Sequence, residues 1–187
     1  MSVSNLFFII FFAFCSIYAC KQQVDNKQNN SIELYLPLSE VNANKATVLF
    51  FLSPTCPLCI DYALTISELQ KEFQSEKINM KGIFSGSDHT EEEKQTYLQT
   101  YQPLIPIIND TANLFVKKYK ATITPEVIVI NQNGNIVYRG AIDNWVMELG
   151  RRKPKATKFY LKDAIRSILE EKNIAVSETN PIGCLIE

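Results

Sequence analysis

Two cysteines, Cys56 and Cys59, stand two residues apart in the stretch FLSPTCPLC that begins at Phe51. A pair at this spacing can hold a metal ion, staple a fold or exchange disulfides. Zn²⁺ usually takes four ligands and a CxxC provides two. The sequence has no second CxxC and a single histidine, His89. A purely structural disulfide is rarely called for at a strand-to-helix turn in a chain long enough to bury its own core. Redox exchange fits best. A cysteine at a helix N-terminus faces free backbone N–H groups and the positive end of the helix dipole, which favour its thiolate. Cys56 is then the expected nucleophile. Cys59, one turn into the helix, is more shielded and resolves a mixed disulfide by internal attack.

That reading depends on the elements around the pair. Thr47 to Leu52 (TVLFFL) is a continuous apolar run of β formers, as expected of a central strand buried on both faces. From Pro57, a residue suited to the first helical position, the spacing turns helical, with an apolar stripe of Leu58, Tyr62, Leu64, Ile66, Leu69 and Phe73. Ile78 to Phe84 reads as a second strand. A helix follows, with Asp88 or Thr90 as candidate cap and the acidic run Glu91 to Glu93 in its first turn. Ile105 to Ile108 reads as a short strand, and Asp110 as a cap for a helix over Thr111 to Tyr119. Two β-rich runs flank Asn133 and Gly134, a strong hairpin signal. The segment MELGRRKPKAT after Trp145 and Val146 shows no clear periodicity, whereas Lys158 to Lys172 predicts a final helix. The alternation gives an α/β class with a largely parallel core closed by an antiparallel hairpin, a mixed sheet flanked by helices.

The whole chain has 187 residues, enough for one domain and terminal extras. Nineteen Lys and Arg against twenty Asp and Glu leave no field that would favour nucleic acid. Leu6 to Ala19 is uncharged and mostly apolar, shorter than the ~20 residues of a spanning helix and suited to the core of an export signal. It ends IYAC and turns at once to KQQVDNKQNNS. This resembles the end of a bacterial lipoprotein signal, with Cys20 as the acylated residue after cleavage, against simple cleavage or an uncleaved anchor. MSVSN lacks Lys and Arg, and Tyr18 is bulky for such a site. The expected organisation is a signal over 1–20, a polar tether over 21–31 and a domain over 32–187, in the envelope or periplasm, where disulfides can form.

With Cys15 and Cys20 in the signal, Cys56, Cys59 and Cys184 remain, an odd number. Cys184 lies in an apolar terminus without strand or helix pattern. It is a candidate third redox residue closing onto Cys56 or Cys59, a candidate ligand for a soft metal, or a buried free thiol. His89 reads as a solvated loop residue. Asp143 and Trp145, after the hairpin, read as a helix cap and an apolar cover.

CPLC between a strand and a helix, followed by Thr124 and Pro125 before another strand, resembles the thioredoxin fold over about Ala46 to Asn144. The resemblance implies a cis Pro125 against the CxxC, with Thr124 offering backbone hydrogen bonds to a bound peptide. Glu126, next in line, is then a candidate to accept and return protons. SPTCPLC, TPEVIVI, NGNIVYRGAIDN, LGRRKPKAT and IGCLIE together are similar to exported redoxins, grouped with the alkyl hydroperoxide reductase and thiol-specific antioxidant families. FLSPTCPLC also resembles a thioredoxin-like accessory protein of methylamine dehydrogenase maturation. The peroxidase signature PxxxTxxC is not matched, since Leu49 and Ser53 take the places of its Pro and Thr. A copper-carrying relative spaces its cysteines CxxxC, unlike this chain.

The expectation is therefore an exported, lipid-anchored thiol-disulfide oxidoreductase without a bound cofactor. It acts on disulfides or dithiols of envelope proteins and is recycled by a membrane reductant. A thiol peroxidase and a copper metallochaperone are the alternatives.

Overall fold

The computed structural model describes residues 36–86 and 88–187. The expected signal over 1–20, the lipidation at Cys20, the whole polar tether over 21–31 and residues 32–35 of the expected domain lie outside the described residues. Among the described residues no helix is long and apolar enough to cross a membrane.

The compact unit Leu38–Glu187 is built on β1 (Ala46–Leu52), every residue of which is buried. A strand with no solvent face needs neighbours on both edges and helices on both faces, and β1 has both. It pairs in parallel with β2 (Ile78–Ser85) and antiparallel with β5 (Glu126–Asn131). Outside these lie β3 (Ile107–Asp110), parallel to β2, and β6 (Ile136–Gly140), antiparallel to β5, giving the order β3-β2-β1-β5-β6. Against one face pack α2 (Pro57–Phe73), α3 (Glu91–Tyr101) and α5 (Tyr160–Leu169); Phe50, Val48, Val127, Tyr62, Ile66 and Ile165 share their core. On the other face are α1 (Leu38–Ala43), in contact with β5, and α4 (Leu114–Tyr119), whose Tyr119 ring meets Phe51 edge-on. Burying one phenylalanine such as Phe50 is worth about 1.5–3 kcal/mol, so this layer sets the rigidity of whatever the sheet ends carry.

Several elements differ from the sequence expectations for identifiable reasons. Leu64 is exposed, because it lies about 200° round the helix from Tyr62; Cys59 and Ala63 complete the buried stripe instead. The third strand starts at Ile107, and the Pro106 carbonyl accepts from Gly82 N–H at its entry. Asp110 does satisfy a helix start, its carboxylate accepting from Leu114 and Val116 N–H at 2.7 and 3.0 Å. Asn113, at φ 53°, delays that helix to Leu114. Thr90 is the cap of α3, in a reciprocal box with Glu93. The aperiodic stretch after Trp145 forms a two-stranded ribbon, β7 (Val146–Glu148) and β8 (Arg151–Arg152). Its Arg152 lies 4.9 Å from the centre of the Trp145 ring and pairs with Asp61.

The tail returns across the molecule. Ser177 and Thr179 exchange backbone bonds with Arg139 on the outer strand β6. Cys184–Leu185 then forms β9, antiparallel to β4 (Ile123–Thr124).

Candidate active site

The end of β1 delivers the chain into Ser53-Pro54-Thr55, where Ser53 C=O accepts from Cys56 N–H at 3.3 Å. Cys56 is the N-cap of α2, extended at φ −72° and ψ 120°, and Pro57 opens the helix. Its own carbonyl accepts from Ile60 N–H. Cys56 thus stands at the N-terminal, positive end of a 17-residue helix, though its side chain makes no capping bond.

Opposite lies the Thr124–Pro125 bond, which is cis. The break it makes separates β4 from β5 and aims the Thr124 carbonyl at the helix end, 3.4 Å from Cys56 Sγ. Thr124 is buried, and its hydroxyl has no partner of normal geometry. Glu126 is buried too, but its carboxylate accepts from Thr122 N–H at 3.1 Å and is bonded to neither sulfur. It braces the turn into β4.

Cys56 is joined to Cys184 by a disulfide, with 6.2 Å between their Cα atoms. The free-thiol reading of Cys184 does not hold in this state. Cys59 carries the free thiol among the described residues, fully buried, with Ser53 N–H directed at its sulfur from 3.4 Å. Burial pushes the Cys59 thiol up to about 12, and the Ser53 N–H and the Thr124 hydroxyl only partly oppose this. Cys184 Sγ thus occupies the position beside Cys56 Sγ, and Cys59 remains a thiol one helical turn away.

Around the disulfide is a cleft of about 200 Å³ lined by Ser53, Ser85, His89, Thr124, Cys184 and Glu187, among others. His89 is therefore a half-buried residue of the site's wall, where the sequence placed it in solvent. Behind Pro125 a second cleft of about 180 Å³ includes Tyr62, Asp143 and Ile182. Asp143 caps no helix: it is buried and accepts from Tyr62 O–H at 2.6 Å and Trp145 N–H at 2.8 Å. Tyr62 also meets Trp145 edge-on, so Trp145 covers the flank of α2. The sequence carried no signal for the Tyr62–Asp143 bond, which joins residues 81 apart. Among the described residues no group of three or more His, Cys, Asp or Glu side chains is placed to hold a metal ion.

The redoxin family profile matches residues 26–146, more than half of the chain. The chain belongs to the redoxin family. A hypothetical protein of Sinorhizobium meliloti 1021 is 20% identical, with a TM-score of 0.69 over 80% of this chain and 82% of its own. An uncharacterised conserved protein of Geobacillus kaustophilus is also 20% identical, with a TM-score of 0.68 over 80% of each chain. A proposed thiol:disulfide interchange protein, DsbE, of Chlorobium tepidum is 12% identical, with a TM-score of 0.53 over 68% of this chain and 82% of its own. These likenesses establish a thioredoxin-like fold for the redoxin. Comparison with curated protein sequences found no match. Family membership and three cysteines gathered at one helix end give this redoxin the groups that thiol-disulfide chemistry uses.

Proposed function

We propose that this redoxin exchanges disulfides with proteins outside the cytoplasm, with Cys56 as nucleophile and Cys59 as resolving thiol. The observation that carries the reading is Cys56 at the N-terminus of α2 with the Thr124 carbonyl 3.4 Å from its sulfur, beside the cis Pro125. The helix end favours a thiolate, and the Ile123–Thr124 edge supplies backbone groups with which an extended segment can pair, as Cys184–Leu185 does here. Pro125 shapes the floor of that site. Glu126 contributes by holding the preceding turn.

In the reducing direction, Cys56 thiolate attacks one sulfur of the substrate disulfide, forming a mixed disulfide and releasing the other substrate sulfur as thiolate. Cys59 thiolate then attacks Cys56 Sγ, forming Cys56–Cys59 and releasing the second thiolate. Two electrons pass from the cysteine pair to the substrate. A dithiol reductant restores the pair, and a membrane protein suits that task for a chain anchored by lipid at Cys20. Export is supported by the apolar run Leu6 to Ala19 and the cysteine that follows it.

The test is stopped-flow oxidation of the reduced chain by a protein disulfide and, separately, by hydrogen peroxide, with Cys56→Ser as control. Rapid loss of thiol with the disulfide, abolished by the substitution, is the expected outcome. Reaction with peroxide alone assigns a peroxidase instead. Silence with both substrates moves copper binding forward.

A further inference from the structure

The edge of Ile123–Thr124, on which a peptide would pair, is occupied by the protein's own last residues. Ile123 faces Leu185 and Thr124 faces Cys184 in antiparallel register, and Ile186 N–H donates to Thr122 C=O at 3.0 Å. The approach is close: a Cβ on Gly183 would collide with the Thr124 carbonyl. Upstream, Thr179 anchors the segment. Its hydroxyl accepts from Ala141 N–H at 2.9 Å and shares a hydrogen bond with Tyr138 O–H at 2.8 Å. Only four residues, Asn180 to Gly183, separate this anchor from Cys184. Cys184 is thus delivered to Cys56 on a short leash, as one strand of a ladder.

We infer that the C-terminal strand is a tethered substrate surrogate: it fills the peptide edge, and Cys184 is a third redox cysteine that bonds reversibly to Cys56. The inference rests on the reading of Cys56 as nucleophile and adds what the site recognises. The favoured substrate is an extended segment with glycine immediately before its cysteine, since the Thr124 carbonyl leaves no room for a side chain there.

The chemistry balances without a further reagent. After Cys56 has formed a mixed disulfide with a substrate, Cys184 thiolate attacks Cys56 Sγ. The Cys56–Cys184 bond forms and the substrate sulfur leaves as thiolate, as it would on attack by Cys59. The two internal disulfides then interconvert: Cys59 thiolate attacks Cys56 Sγ, the Cys56–Cys59 bond forms, and Cys184 leaves as a thiolate that takes a proton from solvent. No net oxidation accompanies this exchange. A tether of a few residues holds its end at an effective concentration in the millimolar range, so micromolar substrates compete poorly until the strand lets go.

The test uses the full chain. Non-reducing peptide mapping of the protein oxidised by one equivalent of a protein disulfide should recover Cys56–Cys184. Reduced Gly183→Ala, which keeps all three cysteines, should attack a disulfide-linked dimer of the synthetic peptide PIGCLIE about tenfold faster than the native chain, because its own strand no longer seats. Cys184 alkylatable throughout oxidation, or Gly183→Ala no faster than native, overturns the inference and leaves the exchange reading standing. Thiol oxidation that persists in Cys56→Ser overturns the exchange reading itself. The mapping needs no substitution, so it decides the matter even if Gly183→Ala folds poorly.

Discussion

Among the described residues the two cysteines besides Cys56 are Cys59 and Cys184, and they are held in opposite ways. Cys59 is part of the scaffold, fully buried in α2 against β1, with Ser53 N–H at its sulfur. Cys184 sits half-buried on a strand of two residues whose outer side chain, Leu185, is exposed. One partner is fixed by the packing of the core and pays in reactivity, because a desolvated thiol resists ionisation. The other is placed by a few backbone bonds and by its disulfide to Cys56. The difference teaches that one sulfur is held by core packing and the other by an edge strand, so the two can be perturbed separately.

The largest expected effect separates the two by pH. Attack needs thiolate, and with the Cys59 thiol at about 12 its thiolate fraction rises about tenfold per pH unit throughout the neutral range. In Cys184→Ser, where Cys59 must resolve alone, single-turnover release of substrate from the mixed disulfide should accelerate about a thousandfold between pH 6 and pH 9. A flat profile would show that Cys59 does not act as a buried thiol. The native chain should show a shallower rise if the tail shares the step.

The same burial has a consequence for stability, with a definite sign. Folding raises the Cys59 thiol from 9.0 to about 12, so the folded state holds this proton more firmly than the unfolded chain does. Its contribution is complete below pH 9 and is lost as pH rises from there towards 12, at about 1.4 kcal/mol per unit. Burial moves Tyr119 and Tyr138 in the same direction, each up to about 12, and they add to the alkaline loss. Urea unfolding of Cys59→Ala between pH 8.5 and 10.5 should therefore fall less steeply than that of the native chain, each compared under identical redox conditions.

A smaller effect is expected at the tail's anchor. Thr179→Val removes the acceptor of the Ala141 N–H, a loss of about 1 kcal/mol, while Tyr138 O–H keeps the Ala141 carbonyl as its acceptor at 2.6 Å. Gly140, at φ 134°, tolerates the strap only because it has no side chain; a Cβ there would collide with Thr179. If tail docking competes with substrate, the reduced Thr179→Val chain should react with a disulfide peptide roughly fivefold faster. Amide exchange at Ile186 should rise, while exchange along β1 stays unchanged. Equal acceleration along β1 would mean that the substitution loosens the scaffold and not the tail alone.

How much of this was legible in the sequence follows the same division. Thr47 to Leu52 and the Asn133–Gly134 hairpin carried their signatures locally, in apolar continuity and turn chemistry, and both elements form where expected. The CPLC turn was legible because Pro57 and the strand before it announce a helix start. Cys184 was legible as a residue but not in its partner, because a two-residue strand has no period to read. Its place is fixed by Thr124, 60 positions upstream, and by the glycine that lets the backbones approach. The settings of Glu126 and His89 were not legible for a related reason. The burial of one carboxylate by a turn and the lining of a cleft by one loop residue are decided by three-dimensional neighbours that spacing does not reveal.

The smallest effect tests whether the comparison of the two sulfurs is local. Thr90 caps α3 through a reciprocal box: its hydroxyl accepts from Glu93 N–H at 3.2 Å and Glu93 Oε2 accepts from Thr90 N–H at 2.8 Å. These bonds hold Glu93 below the usual carboxylate range. Thr90→Ala should cost about 1 kcal/mol of stability, as loss of a cap usually does. His89, beside Thr90 in the chain, lines the cleft of Cys56 and Cys184, so the cap also fixes the entry of the segment that forms one wall of the site. If that wall only excludes solvent, Thr90→Ala lowers the unfolding midpoint and leaves the exchange rate with protein disulfides within about twofold of native. A larger loss of rate at equal stability would tie the loop before α3 to catalysis. The contrast would then no longer be between helix and tail alone, since a third segment would help decide which sulfur Cys56 meets.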